Sequence, residues 1–212
     1  MYLPSQFNSI NGSDAIALMR GYPLASLISV DDAGLPFVSH IPLLLQERGD
    51  QLVLLGHCAK ANPHWRYLQA RAQAVVTFMG PQAYLSPAVY PDLVRVPTWN
   101  YLAVHCTVQA RLIESPGEIE ALLKKLIAEH EPAYAAQWQG LNDEFRQKML
   151  GAIMGFELQV LDLQCKLKLN QHRPESHTRM HQIYAKGNAD ERALADWMEC
   201  LQMVRPHLCS DE

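Results

Sequence analysis

Over the first two-thirds of the chain, apolar and polar residues alternate in short runs, the period of a half-buried strand. Pro23–Val30, Pro36–Leu45, Gln51–Gly56, Ala74–Phe78 and Tyr101–Glu114 read as strands. Two polar turns join the first three, Asp31-Asp32-Ala33-Gly34 and Glu47-Arg48-Gly49-Asp50, each with a glycine where a positive φ is wanted. Turns this short link neighbouring strands, so the pattern predicts an antiparallel meander. Glu157–Asn170 reads as a sixth strand that changes phase. Leu158 and Val160 are even, whereas Leu161, Leu163, Cys165, Leu167 and Leu169 are odd. A period of two cannot change parity without an extra residue, so a β-bulge is expected near Val160–Leu161. Past it, Lys166 and Lys168 share the other face.

Helical periodicity enters in fewer places. Asn62-Pro63 predicts a short helix with Asn as N-cap and Pro at its first position. Ser115-Pro116-Gly117-Glu118 predicts a capping box, followed by the stripe Ile119, Leu122, Leu123 and Leu126. A further helix is expected near Asp143–Met154. His172–Asn188 reads as an irregular arm, and Ala189–Val204 as a terminal amphipathic helix with Leu194, Trp197, Met198 and Leu201 on one stripe. Six antiparallel strands with helices between and after them suggest a small β-barrel with helical decoration. No alternating βαβ pattern, G-x-G-x-x-G or P-loop motif is present.

Composition narrows the function classes. The chain has 212 residues, 49% hydrophobic and 19% charged, an ordinary folding composition with room for one domain. A net charge of −4 argues against a surface that holds nucleic acid by bulk charge, so any anion site must be local. Five widely spaced cysteines with no C-x-x-C form neither a disulfide framework nor a zinc knuckle, which points to the cytosol. The opening residues Met1-Tyr2-Leu3-Pro4 carry no signal-peptide pattern. The most apolar stretches, Ile41–Leu45 and Leu52–Leu55, fall far short of the roughly 20 residues that span a bilayer, so no membrane association is expected.

Three segments could carry chemistry. In Gly56-His57-Cys58-Ala59-Lys60-Ala61-Asn62-Pro63-His64-Trp65 a strand ends where a helix begins, and Lys60 sits on the turn. A helix start and a lysine suit a phosphate, although a solvated turn lysine has the same spacing. Val96-Pro97-Thr98-Trp99-Asn100-Tyr101 follows the Pro-rich loop 86–97 and offers stacking surface and amide donors to a flat ligand. A core Trp at a strand entry reads the same way. Lys166-Leu167-Lys168-Leu169-Asn170-Gln171 puts two ammonium groups on one face, either a cationic contact or a solvated edge. The nine histidines include His177 and His181 at i, i+4, but lack the flanking Glu of H-E-x-x-H, and no metal site is expected. Cys58 beside His57 is discounted as an activated thiol, because neighbours on a strand face opposite ways. No catalytic residue is identified.

Taken in order, these segments carry a resemblance. Tyr2-Leu3-Pro4, Ser39-His40-Ile41-Pro42-Leu43, the Gly56–Pro63 segment, Phe78-Met79-Gly80-Pro81 with Tyr84-Leu85-Ser86-Pro87, Val96–Tyr101 with Val104-His105, and Lys168-Leu169-Asn170-Gln171-His172-Arg173-Pro174 resemble the PaiB-type family of FMN-binding negative transcriptional regulators, along nearly the whole chain. The chain departs at Thr107-Val108, where members often carry a Gly, and at Asn170-Gln171-His172 before Arg173.

The resemblance implies a mainly β (α+β) fold: an antiparallel six-stranded split barrel similar to pyridoxamine phosphate oxidase, with helical decoration and a C-terminal helix. It implies residues 1–171 as the FMN-binding split barrel with inserted helices, and 172–212 as an arm and helix packed on the barrel or on a partner. It implies a cytoplasmic homodimer with FMN at the subunit interface. The phosphate role carries over to Lys60 with His57 and Asn62. Ser39, His40, Ile41 and Pro42 would line the isoalloxazine. Trp99, Asn100 and Tyr101 would come from the same or the partner subunit, and Lys166 and Lys168 would add positive charge. DNA binding rests on the family likeness alone. A flavin-dependent oxidoreductase is the alternative, and a binder of haem or another planar ligand, through His172, His177 and His181, is the second.

Overall fold

The computed structural model describes residues 1–92 and 94–204. Leu93, inside the expected 86–97 loop, and residues 205–212 of the expected arm, with Arg205 and Cys209, lie outside the described residues. Two compact units make up the chain. The first comprises Met1–Leu18, Met79–Val104 and the chain from Gln164 onward; the second comprises Met19–Phe78 and His105–Leu163.

Eight strands and seven α-helices are present among the described residues. The strands are β1 (Asn8–Ser9), β2 (Leu24–Val30), β3 (Pro36–Pro42), β4 (Leu44–Arg48), β5 (Gln51–Ala59), β6 (Gln73–Leu85), β7 (Thr98–Ile113) and β8 (Ile153–Lys168). All six expected strands are there. The expected Pro36–Leu45 is broken at Leu43 into β3 and β4, and the two-residue β1 is added. The strand order is β3-β2-β6-β7-β8-β5-β4, with β1 beside β8. The helices are α1 (Gly12–Gly21), α2 (His64–Ala70), α3 (Pro116–His130), α4 (Tyr134–Gly140), α5 (Asp143–Gly151), α6 (His177–Tyr184) and α7 (Ala189–Cys200).

In the second unit the two short turns act as expected. Gly34 and Gly49 both have positive φ, 79° and 61°. Asp31 Oδ1 accepts from the N–H groups of Ala33 and Leu35 and so closes the first turn. In the second, Arg48 pairs with Gln51 across a two-residue loop with Gly at its first position, the II′ arrangement that matches strand twist. β2 pairs antiparallel with β3 along its length and with β6 from Ser26 to Ile28. β5 pairs antiparallel with β8 from Val53↔Gln159 to Ala59↔Ile153. The core of this unit is Val53, Leu55, Ile113, Ile119, Leu122, Trp138 and Leu150, where one strand face meets the apolar stripes of α3, α4 and α5.

Several local expectations are corrected. Ser115 precedes α3, but its side chain makes no capping hydrogen bond. Glu118 instead faces Arg111 at 3.4 Å. The capping box lies at α7: Asn188 Oδ1 accepts from Glu191 N–H, and Glu191 Oε2 accepts from Asn188 N–H. α4 was not signalled by the sequence. α5 ends at Gly151, so Met154 is already in β8. Residues 172–204, expected as an arm with one helix, carry α6 as well as α7 and fall in the first unit, where Met180, Tyr184, Leu194 and Met198 are buried. Along β8, side-chain burial alternates through Met154, Phe156 and Leu158 and then takes Cys165, Lys166 and Leu167 together, so the period of two at its start is not carried to its end.

Gly56 closes the continuous buried run Val53–Gly56 of β5, four residues before Lys60. A Cβ there would lie 2.6 Å from Leu43 Cδ2 and 3.0 Å from the Phe156 ring, both buried. Overpacking of this kind costs about 1–3 kcal/mol. Gly56→Ala is therefore expected to lower the unfolding free energy by that amount, read as a lower urea midpoint at constant m-value.

Candidate functional site

The predicted site residues fall into two groups, one in each unit. In the second unit, β3 presents Ser39 and Ile41 inward, both buried, and His40 and Pro42 outward. His40 Nδ1 stands 3.0 Å from Ser26 Oγ on the neighbouring strand. The turn from β5 to α2 is fixed through its main chain. Lys60 N–H donates to Ala152 O (2.8 Å), Lys60 O accepts from the Trp65 indole (3.1 Å), and Asn62 N–H returns to Ala59 O (2.9 Å). The Lys60 side chain is exposed, and among the described residues it has no ion-pair partner. α2 begins at His64, one residue later than expected, yet Asn62 still serves its start: Oδ1 accepts from His64 N–H at 3.0 Å.

Asn62 is also tied to β3. Its Nδ2 donates to Ser39 Oγ (3.0 Å), and Ser39 Oγ stands 2.8 Å from His64 Nδ1. His64 is fully buried, with the ring of Phe37 edge-on at 5.2 Å. Burial pushes its imidazole down to about 4, because a desolvated ring resists charge. Burial lowers His57 in the same direction. His57 Nδ1 and His64 Nε2 are buried without a hydrogen-bond partner. Burial raises the Cys58 thiol, so it is no activated nucleophile.

The first unit holds the other group. Lys166 on β8 is only 6% exposed. Its ammonium donates to Tyr2 O (3.1 Å) and lies over the rings of Tyr101 (5.1 Å) and Tyr2 (5.7 Å). Lys168 donates to Thr98 Oγ1 and Trp99 O, both at 2.7 Å, and stands 5.7 Å from the Tyr101 ring centroid. Burial, with Lys166 nearby, holds the Lys168 ammonium below its ordinary range against the opposing pull of Tyr101. Neither lysine pairs with a carboxylate among the described residues. A buried ammonium held by a carbonyl and two π-faces is no solvated edge guard. Trp99 is 53% exposed, edge-to-face with Tyr84 at 6.1 Å. Asn100 is fully buried, and its Nδ2 donates to Tyr184 OH (3.0 Å) and faces Met180 Sδ (3.2 Å). Its side chain thus works inside the unit, with Oδ1 left unpartnered.

The histidines of the C-terminal segment are engaged. His177 Nε2 contacts Asn170 O (3.1 Å), and His181 Nε2 contacts Glu199 Oε1 (2.7 Å), a bridge from α6 to α7. Among the described residues no three His, Cys, Asp or Glu side chains come together as a metal-binding group, and no helix is long and apolar enough to cross a membrane.

The roles of Ser39 as a hydrogen-bond hub and of His64 were missed by sequence reasoning. The one available signal was the i, i+2 spacing of Asn62 and His64 at a helix start. Tyr2 and Thr98 lie in segments the sequence singles out, but nothing in it signals that they hold the two lysines.

An antiparallel, mainly β chain here carries an unpaired lysine on a pinned turn and, in its other unit, a buried Lys166 with a half-buried Lys168, cationic groups of the kind that suit an anionic ligand. Comparison makes the class specific. The family described as "Putative FMN-binding domain" matches residues 1–162, and the chain belongs to that PaiB-type FMN-binding family. The matched range holds every predicted site residue except Lys166 and Lys168. A Bacillus subtilis (strain 168) protein named "Protease synthase and sporulation protein PAI 2" is 30% identical over 204 residues, covering 94% of this chain and 97% of that one. Among solved structures, the chain is similar to the flavocytochrome Anf3 of Azotobacter vinelandii, with TM-score 0.59 and 17% identity over 77% of this chain and 70% of that one. It is also similar to an FAD and haem binding protein of Mycobacterium smegmatis, with TM-score 0.57 and 20% identity over 76% and 73% of the two chains. These likenesses show the fold, and the expected class, a mainly β antiparallel split barrel with helical decoration, holds.

The His64 pKa has a consequence for stability. Between pH 6.5 and about 4 the unfolded chain binds a proton at this residue that the folded chain refuses. The stabilisation is complete above pH 6.5 and is lost as pH falls toward 4, at up to about 1.4 kcal/mol per pH unit. His57 acts in the same sense. Urea midpoints measured from pH 7.5 to 4.5 are expected to fall more steeply in wild type than in His64→Gln.

Proposed function

We propose that the chain binds FMN, as one flavin per subunit of a cytoplasmic homodimer. The observation that carries this reading is the Lys60 turn. Its main chain is pinned on both sides of the lysine, while the ammonium projects without a partner. A fixed cation with no internal use suits a phosphate dianion. In this reading Lys60 takes the FMN phosphate, with Asn62 shaping the turn and His57 contributing its unpartnered Nδ1. Ser39–Pro42 present strand backbone to the flavin. Trp99, Tyr101, Lys166 and Lys168, of the same or the partner subunit, offer aromatic surface and positive charge to it, and Asn100 supports them from within their own unit. The donor set fits the group: two buried imidazole nitrogens lack a hydrogen-bond partner, and the buried Lys166 ammonium, held by Tyr2 O, has no carboxylate beside it among the described residues. When bound, FMN would supply its own redox chemistry.

The role served by the flavin is read as the family's negative regulation. His57 and His64 are held neutral by burial, and His40 rests against Ser26, so none of them favours proton-transfer chemistry over ligand binding. A haem reading has less to rest on, because the ring nitrogens of His177 and His181 already face Asn170 and Glu199. Direct DNA binding is the weakest part of the family role, since a net charge of −4 leaves only a local basic patch to carry it.

The homodimer has its own support. On one face of β2, β3 and β6 the register aligns Val38, Ile28 and Val75 across three strands, with Leu24 opposite Pro42 and Val30 opposite Pro36. Val38, Leu24, Val30 and Val75 are all exposed. An apolar sheet face of this kind is what a second copy of the chain would cover.

Two experiments test these statements. Lys60→Ala is expected to raise the FMN dissociation constant by about 10- to 100-fold, the worth of a charge-assisted hydrogen bond, while riboflavin binding stays the same. Unchanged FMN affinity refutes the phosphate assignment. Sedimentation equilibrium is expected to give twice the chain mass for wild type and the single mass for Val38→Glu combined with Val75→Glu.

A further inference from the structure

Three side chains close a hydrogen-bonded ring beneath the Lys60 turn. Asn62 Oδ1 accepts from His64 N–H (3.0 Å), Asn62 Nδ2 donates to Ser39 Oγ (3.0 Å), and Ser39 Oγ meets His64 Nδ1 (2.8 Å). A serine hydroxyl has one proton to give. Ser39 Oγ accepts from Asn62, and its one remaining contact is His64 Nδ1. If Nδ1 were protonated, Ser39 Oγ would accept twice and its own proton would have no acceptor. A buried hydroxyl proton without an acceptor is costly. With the imidazole proton on Nε2, Ser39 donates to Nδ1 and only the buried Nε2–H is left without a partner, whereas with the proton on Nδ1 both the Ser39 proton and the Nε2 lone pair would be left without one.

We infer that His64 is a positioning residue: as the neutral Nε2–H tautomer it accepts the Ser39 proton, and the closed ring sets the Lys60 turn in the shape that receives a phosphate. The proposal rests on the reading that the FMN phosphate lies at Lys60. The geometry gives the ring this task. Lys60 is held at its own main chain by Ala152 O and the Trp65 indole, whereas residues 61–63 are held by Asn62: its N–H reaches Ala59 O, and its side chain reaches Ser39 and the His64 N–H. Asn62 can face both ways only while Ser39 Oγ is turned to accept from it. An acceptor at the far side of Ser39 fixes that rotor, and the buried Nδ1 of His64 is that acceptor. Phe37, edge-on to His64 and to Tyr67, walls the imidazole in place.

The test uses the whole chain, with FMN and riboflavin as probes, since riboflavin lacks the phosphate. His64→Leu is expected to weaken FMN roughly tenfold, the worth of one buried hydrogen bond, and to leave riboflavin within about twofold. His64→Asn puts its Oδ1 where Nδ1 was and is expected to keep FMN within about threefold of wild type. The ¹⁵N shifts of wild-type His64 are expected to show a protonated Nε2 and an unprotonated Nδ1. Equal weakening of both flavins in His64→Leu overturns the inference, as does no rescue by His64→Asn or a proton found on Nδ1. If His64→Leu does not fold, the Asn variant and the tautomer still decide it. Lys60→Ala separates the two layers. If it loses FMN while His64→Leu does not, the phosphate reading stands and the His64 role falls. If Lys60→Ala binds FMN as wild type does, the phosphate reading falls and takes this inference with it.

Discussion

A single buried hydroxyl, that of Ser39, ties an edge strand to the turn after β5. Buried polar groups must find partners, and Ser39 finds two, Asn62 and His64, which lie 23 and 25 residues further on. Through Asn62 it fixes where α2 begins, and through His64 it places a neutral imidazole under that helix. The turn above then needs no side-chain contact from Lys60 itself. The same logic leaves Lys60 exposed and unpaired, because the structural work at this corner is done by uncharged groups.

The second unit gets its solidity from strand register. The pairing from β2 to β3, and from β5 to β8, runs antiparallel without interruption. That regularity places Ser39 and Ile41 inward and Val38, His40 and Pro42 outward. A slip of one residue would exchange the two sets and expose the Ser39 hydroxyl. The position of the turn's anchor is therefore a property of the sheet and not of the turn.

Much of this was legible in the chain. Alternation marked the strands, and the two short turns marked the antiparallel order of the first three. Asn62 and Pro63 marked a helix start, and the lysine pair showed its shared face. What was not legible is long-range. Nothing local says that Ser39 will meet His64, or that Glu118 will turn to Arg111 and leave Ser115 uncapped. Lys166 read equally well as a solvated edge, because its burial depends on Tyr2 and Tyr101, which lie 164 and 65 positions away. α6 buries Met180 and Tyr184 on one stripe with His177 and His181, which meet Asn170 and Glu199, so half of its inward face is polar and a hydrophobic pattern reports only the rest.

The two kinds of lysine differ in what added electrolyte can reach. Ions in solution screen an exposed charge over about 8 Å at 0.15 M ionic strength, but they penetrate little to a charge enclosed by protein. Lys60 stands in the first condition and Lys166, under Tyr2 and Tyr101, in the second. Any anion attracted to Lys60 competes with bulk chloride and phosphate for it, and its hold weakens as salt rises. Attraction exerted by Lys166 is largely insulated from that competition. The chain thus carries one cation whose reach the medium controls and one whose reach is set by the fold alone.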